Sequence, residues 1–154
     1  MADIYEFTSA RCPYDLAPSF VSEYLRSLPP DEYDRPLLEL RVAIGDLTLS
    51  HDVIVRLWAK TGLTGYERFG IAWEPKGGGP FPTFEGTLTF AQESSEFSRL
   101  EIDGQYTPPL GPIGMVFDLT LGKKIASATA GELLARLKDE LEAAYAFRTA
   151  TTAR

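Results

Sequence analysis

The sequence predicts an α+β fold: a curved antiparallel sheet of about six or seven strands wrapped around one long C-terminal helix. Three observations predict it. From residue 37 to residue 107, short apolar-rich runs follow one another with brief connections, so sequence neighbours pair as antiparallel sheet neighbours. The last two runs, Phe84-Glu-Gly-Thr-Leu-Thr-Phe90 and Leu100-Glu-Ile-Asp-Gly-Gln-Tyr106, alternate between an apolar and a polar face. After Thr107-Pro-Pro-Leu-Gly-Pro-Ile-Gly114 the apolar spacing becomes helical and stays so to about Ala146. A sheet that feeds directly into one long helix cradles it, and that arrangement encloses a cavity.

The elements follow in order. Ala2 to Ser9 alternates weakly and reads as an edge strand, and Arg11 to Pro18 reads as loop. Phe20, Val21, Tyr24, Leu25 and Leu28 share a helical face, which predicts a short helix over 18–28, stopped by Pro29-Pro30. Asp31 to Pro36 is a polar loop. Strands are predicted over 37–44, 49–59, 66–74, 81–92 and 97–107, with Gly45-Asp46 as one turn and Pro75-Lys-Gly-Gly-Gly-Pro80 as a flexible loop. Leu100, Ile102, Gly104 and Tyr106 share the buried face of the last strand, as Phe84, Gly86, Leu88 and Phe90 do in the one before. A glycine on each buried face lets the sheet bend or the helix approach. The final helix is predicted from near Pro112, with Phe117, Leu121, Ile125 and Ala128 on one stripe and Leu133, Leu134, Leu137, Leu141 and Ala144 continuing it. Gly122 weakens it by about 1 kcal/mol relative to Ala. Thr129-x-x-Glu132 resembles a capping box, so one helix or two kinked ones are both open.

Composition narrows the function. A chain of 154 residues fits one domain, here 1–148 with a frayed tail over 149–154. The net charge of −7 argues against nucleic-acid binding and against docking on an anionic membrane. No apolar run approaches the ~20 residues of a bilayer span, and the start, Met-Ala-Asp-Ile-Tyr-Glu-Phe, has no basic or apolar leader pattern. The one cysteine, Cys12, rules out an intramolecular disulfide. These features predict a cytoplasmic protein with no membrane insertion.

The stretch Phe81-Pro-x-Phe-x-Gly86, then Leu100-x-x-x-Gly-x-Tyr-x-Pro-Pro-Leu-Gly111, then Gly114-x-x-x-Asp118, resembles a bacterial branch of the SRPBCC superfamily, the START-like or Bet v-like helix-grip proteins. The order of elements matches along nearly the whole chain; only this last third carries motifs. The resemblance implies a deep apolar cavity between sheet and helix, used by carriers, sensors, cyclases and interaction modules alike, so the fold does not choose the function. The chain departs from the pattern in the single short helix before Pro29-Pro30, and no catalytic signature of any branch is present.

The candidate chemistry is sparse. His51 lies between Ser50 and Asp52, but adjacent strand residues point to opposite faces, so a triad does not form and an exposed turn histidine is the plainer reading. With one histidine and one cysteine, no metal and no cofactor are predicted. Cys12 follows Arg11, which would lower its pKa, yet lacks a base. Gly65-x-x-x-x-Gly70 is not followed by Lys-Ser/Thr and fails as a phosphate loop. Arg56, inside an apolar strand, either meets a ligand carboxylate or phenolate from the cavity face or stands solvated outside, the commoner place for arginine. Asp118 is either a partly buried acid or an ordinary first-turn helix acid. The expected function is binding of a small apolar or aromatic molecule, with Arg56, Trp73, Phe84, Leu88, Ile102, Tyr106, Phe117 and Asp118 as ligand-binding candidates and no catalytic residue assigned. The alternatives are a polyketide cyclase/dehydratase-like enzyme using Asp118, Tyr106 and Arg56, and a protein-interaction module with a vestigial cavity. A homodimer is left open.

Overall fold

The computed structural model describes residues 2–59, 67–77, 82–107 and 119–152. The element order is β1 (Ala2–Arg11), α1 (Ala17–Ser27), β2 (Leu37–Ile44), β3 (Leu47–Ala59), β4 (Glu67–Pro75), β5 (Thr83–Gln92), β6 (Phe97–Thr107) and α2 (Leu119–Thr152). The strands form one six-stranded sheet in the order β1-β6-β5-β4-β3-β2. Every pairing is antiparallel and joins sequence neighbours, except β1 on β6, which brings the N-terminal strand to the far edge. Gly45 makes the β2–β3 turn with a φ of 60°, a conformation that costs a glycine nothing.

Helix α2 lies across the inner face of the sheet, packing on β1, β2 and β6 as well as on α1. Its buried stripe is Ile125, Ala126, Thr129, Ala130, Leu133, Leu134, Leu137 and Leu141. It is one helix. Thr129 does not cap a second one; its hydroxyl donates back to the Ile125 carbonyl at 2.7 Å, one turn earlier. Nor does the helix end near Ala146. Thr149, Thr151 and Thr152 donate to the carbonyls of Tyr145, Phe147 and Arg148, and helix continues to Thr152 through the segment expected to fray. The predicted start near Pro112 lies outside the described residues. Gly122 lies over the Tyr106 ring, where an added Cβ would sit 3.4 Å away in ordinary contact, so α2 runs close to β6 here without needing a glycine.

Helix α1 begins with Pro18 in its first turn and ends at Leu28, whose extended ψ of 147° is the conformation that the following proline imposes. It buries Ala17, Val21 and Leu25. The loop after it is more ordered than its polar sequence suggests. Pro30 and Pro36 form a bridge, and Asp31 is buried inside, its Oδ1 accepting from the backbone N–H of Tyr33 (3.0 Å) and Arg35 (2.8 Å).

Candidate functional site

The inner face of the sheet is built in cross-strand rows. Val55, Trp73, Phe84 and Tyr106 are paired one to the next across β3, β4, β5 and β6. Two residues along, Leu57, Ile71, Gly86 and Gly104 form the next row, followed by Phe69, Leu88 and Ile102. Five of the candidate residues therefore converge on one face, as their alternation predicts. Gly86 and Gly104 stand opposite each other, and the Phe84 ring folds over them: a Cβ on Gly104 would meet Gly86 Cα at 2.5 Å and Phe84 Cζ at 2.7 Å. Trp73 stacks on the same ring, with centroids 4.1 Å apart and planes 14° from parallel.

This half of the face is filled. Leu88, Ile102 and Tyr106 have 0% of their surface accessible, so no space wide enough for a water adjoins them. They belong to one hydrophobic core with residues of β1, α1 and α2. Burial raises the Tyr106 pKa above the ordinary phenol range, keeping it a neutral hydroxyl. One polar atom is left over. Among the described residues, Trp73 Nε1 is buried without a hydrogen-bond partner, which costs about 1–3 kcal/mol.

The space lies beside this core, between α1 and β3. A cleft of about 380 Å³ is bordered by Ser22, Leu25 and Arg26 of α1, by Pro36, and by Val55, Arg56 and Leu57 of β3. The strand ends explain it. Lys76 N–H donates to Asp52 O at 2.9 Å, and Val55 N–H donates to Pro36 O at 3.2 Å. The even residues of β3 thus turn their backbone groups to β4 and the odd ones to β2. Pro36 has no N–H to return, and β2 begins only at Leu37. Past Val55 no described strand pairs with this edge of β3, and residues of α1 border the cleft there. The signal was in the sequence, as a proline directly before a strand shorter than its partner, but pattern reading of faces does not use it.

Arg56 does not join the inner group. It pairs with Ala72 on the outer face, exposed, with its guanidinium 5.9 Å from the Trp58 ring centroid. Alternation with the buried Val55 forces that placement. Arg56 and Tyr106 therefore stand on opposite faces and cannot form an acid–base pair on one space. Phe117 and Asp118 lie outside the described residues.

The remaining polar candidates are structural. His51 pairs with Leu40 in the sheet, half-buried rather than in an exposed turn, with Nε2 3.2 Å from Lys76 O. Ser50 faces the other way and donates to Glu39 at 3.2 Å. The Cys12 thiol is not lowered by Arg11. Burial, and then the charge of Asp15, push it up to about 11, which leaves it protonated and unreactive. Arg35 bonds Asp31 Oδ2 from Nη2 at 2.7 Å and reaches Glu74 at 3.4 Å. Burial opposes ionisation of Asp31, but the hydrogen bonds from the Arg35 side chain and from the Arg35 and Tyr33 amides, with the Arg35 charge, outweigh it and lower its pKa. Among the described residues, no group of three or more His, Cys, Asp and Glu is placed to hold a metal ion. No described helix is long and apolar enough to cross a membrane.

Comparison with known proteins finds the fold and no closer relationship. No family model matches the chain, and no curated protein matches it. Among solved structures, the chain is similar to the Zhui aromatase/cyclase from Streptomyces sp. R1128, with a TM-score of 0.57 and 9% identity over 92% of this chain and 93% of that one. A conserved protein from Geobacillus kaustophilus aligns with a TM-score of 0.55 and 14% identity over 89% of this chain and 93% of that one. A protein from Bacillus thuringiensis gives 0.54 and 15% over 91% and 98%. The chain has the helix-grip fold, a six-stranded antiparallel sheet with a long C-terminal helix across it, and shares it with these structures.

Proposed function

We propose that the protein binds a small apolar or aromatic molecule, as a carrier or sensor, in the cleft between α1 and the free edge of β3. The observation that carries this reading is the cleft itself, lined by Leu25, Val55 and Leu57 beside the buried core. Its volume lies in the range of small-molecule sites. Val55 is the cross-strand partner of Trp73, whose indole N–H has no acceptor among the described residues. The similarity in fold to an aromatase/cyclase supports a small aromatic molecule as the ligand. A cyclase or dehydratase reading has less support, because Arg56 and Tyr106 do not converge.

The test is a fluorescence titration with N-phenyl-1-naphthylamine, a neutral aromatic probe. Binding is expected at one probe per chain, with transfer from tryptophan, and Leu57→Asp is expected to weaken it about tenfold or more by placing a charge among apolar contacts. An unchanged titration in Leu57→Asp would remove the cleft from consideration. Native mass spectrometry and solvent extraction of the purified protein would then identify any retained molecule.

One observation favours a second reading, an interaction surface. Tyr5 (50% exposed), Phe7 (52%) and Phe97 (39%) stand on the outer face of β1 and β6, with the Arg99 guanidinium 3.8 Å from the Phe7 ring centroid. On the same face of β3, Trp58 is 38% exposed and lies against Gly70, while Ile54 is buried. A homodimer through this face would appear in sedimentation and would be lost in Phe7→Glu.

A further inference from the structure

The cleft between α1 and β3 differs in charge from the hollows around it. The chain is acidic, with a net charge of −7, yet the described cleft lining carries Arg26 and Arg56 and no carboxylate. Three other surface hollows of comparable size each hold acids beside their cation: Glu96 and Glu142 with Arg11, Glu39 and Asp52 with Lys76, Glu74 and Glu85 with Arg56. Two of those cations are already ion-paired, Arg11 with Glu96 at 3.8 Å and Lys76 with Glu32 at 3.8 Å. Arg26 and Arg56 make no ion pair among the described residues. The one hydrogen bond of Arg26 runs from Nε to Ser22 O at 3.4 Å, one turn back along α1, and leaves its two Nη groups uncommitted. Arg56 borders both the cleft and the neighbouring outer hollow, and pairs with neither Glu74 nor Glu85. A guanidinium with open donors offers a planar fork that fits an oxyanion.

We propose that the ligand of this cleft is an amphipathic anion: an apolar or aromatic body carrying one carboxylate, sulfonate or phosphate. The body rests on Leu25, Pro36, Val55 and Leu57, and the anion lies at the rim with Arg26 and Arg56. This inference rests on the cleft being the ligand site and adds the charge of what it takes. The two arginines give selectivity against neutral molecules of the same shape, and the acidic remainder of the surface repels the same anion elsewhere.

The test compares two probes with one aromatic body, the neutral N-phenyl-1-naphthylamine and its sulfonated analogue 8-anilino-1-naphthalenesulfonate, on the full chain at low salt. The sulfonate is expected to bind about tenfold more tightly, through two exposed charge pairs at the rim. Its advantage should shrink with added salt. Arg26→Gln with Arg56→Gln is expected to abolish that advantage, so that the two probes bind the variant equally; both side chains are exposed. Equal affinity of the two probes for the wild type, or an advantage that survives the double substitution, overturns the anion assignment alone. Failure of both probes to bind the wild type overturns the cleft as a ligand site, and the inference with it.

Discussion

The inner face of this sheet has two ends that read alike in sequence and differ in the fold. Under β4, β5 and β6 it is sealed: Trp73, Phe84 and Tyr106 lie side by side, and Gly86 and Gly104 admit the Phe84 ring. At β3 the same alternation of buried and exposed residues continues, but β2 stops at Leu37 and Pro36 has no N–H to extend the ladder. That end stays open. The hydrophobic pattern decides which side chains face inward; glycine placement and strand ends decide whether the space in front of them is filled.

The sharpest way to break this comparison is to shorten one leucine at each end. Leu88 is 0% exposed in the sealed half, so Leu88→Ala is expected to cost about 2–5 kcal/mol, the transfer term plus a cavity that cannot collapse. Leu57 is only half-buried and borders existing space, so Leu57→Ala is expected to cost about 1 kcal/mol or less. Denaturant unfolding measures both. Equal losses would mean that the cleft is packed in solution and that the two ends do not differ.

Glycines give the next contrast, on the two faces of one sheet. Gly104→Ala drives a methyl into Gly86 Cα and the enclosed Phe84 ring, neither of which has room to move. The expected loss is about 1–3 kcal/mol. A methyl at Gly70 would strike only the Trp58 side chain, which stands on the outer face and is 38% exposed. That ring can swing into solvent, so Gly70→Ala should fall within about 0.5 kcal/mol of wild type.

Much of the architecture was legible because it depends on local pattern. Period-2 alternation in 84–90 and 100–106 identified the inner residues of β5 and β6, and short connections implied sequential pairing. The pairing of β1 with β6 joins residues about a hundred apart, and only the weak alternation of residues 2–9 hinted at an edge strand. The site was legible in part. Trp73, Phe84, Leu88, Ile102 and Tyr106 were correctly placed together, but alternation reports facing and not volume, so it could not show that they fill their own space. The helix length was missed because Thr149, Thr151 and Thr152 read as a poor helix tail, whereas their hydroxyls bond back to the carbonyls one turn earlier. The Asp31–Pro36 loop reads as solvent-facing, yet Asp31 is buried by partners that only the closed loop brings together.

That loop carries the last contrast, in how each end of the sheet is held. Packing holds the sealed end and is indifferent to pH. The open end is framed by Pro36, and the loop that positions Pro36 is tied by the Asp31 carboxylate to Arg35 and to two backbone amides. Those bonds lower the Asp31 pKa below its unfolded-chain value of about 3.9. Asp31 therefore contributes stability that is fully present above that unfolded value and is lost as pH falls through the lower folded one. Thermal unfolding of wild type and Asp31→Asn should differ by a constant amount at pH 5 and above, and the two should converge below about pH 4. The effect is expected to be smaller than either substitution pair above and concentrated at the cleft: at neutral pH, amide exchange at Tyr33 and Arg35 should rise in Asp31→Asn while exchange along β5 and β6 stays unchanged. A difference between wild type and variant that persists at acid pH would mean that the loop is held by its backbone geometry and not by the carboxylate.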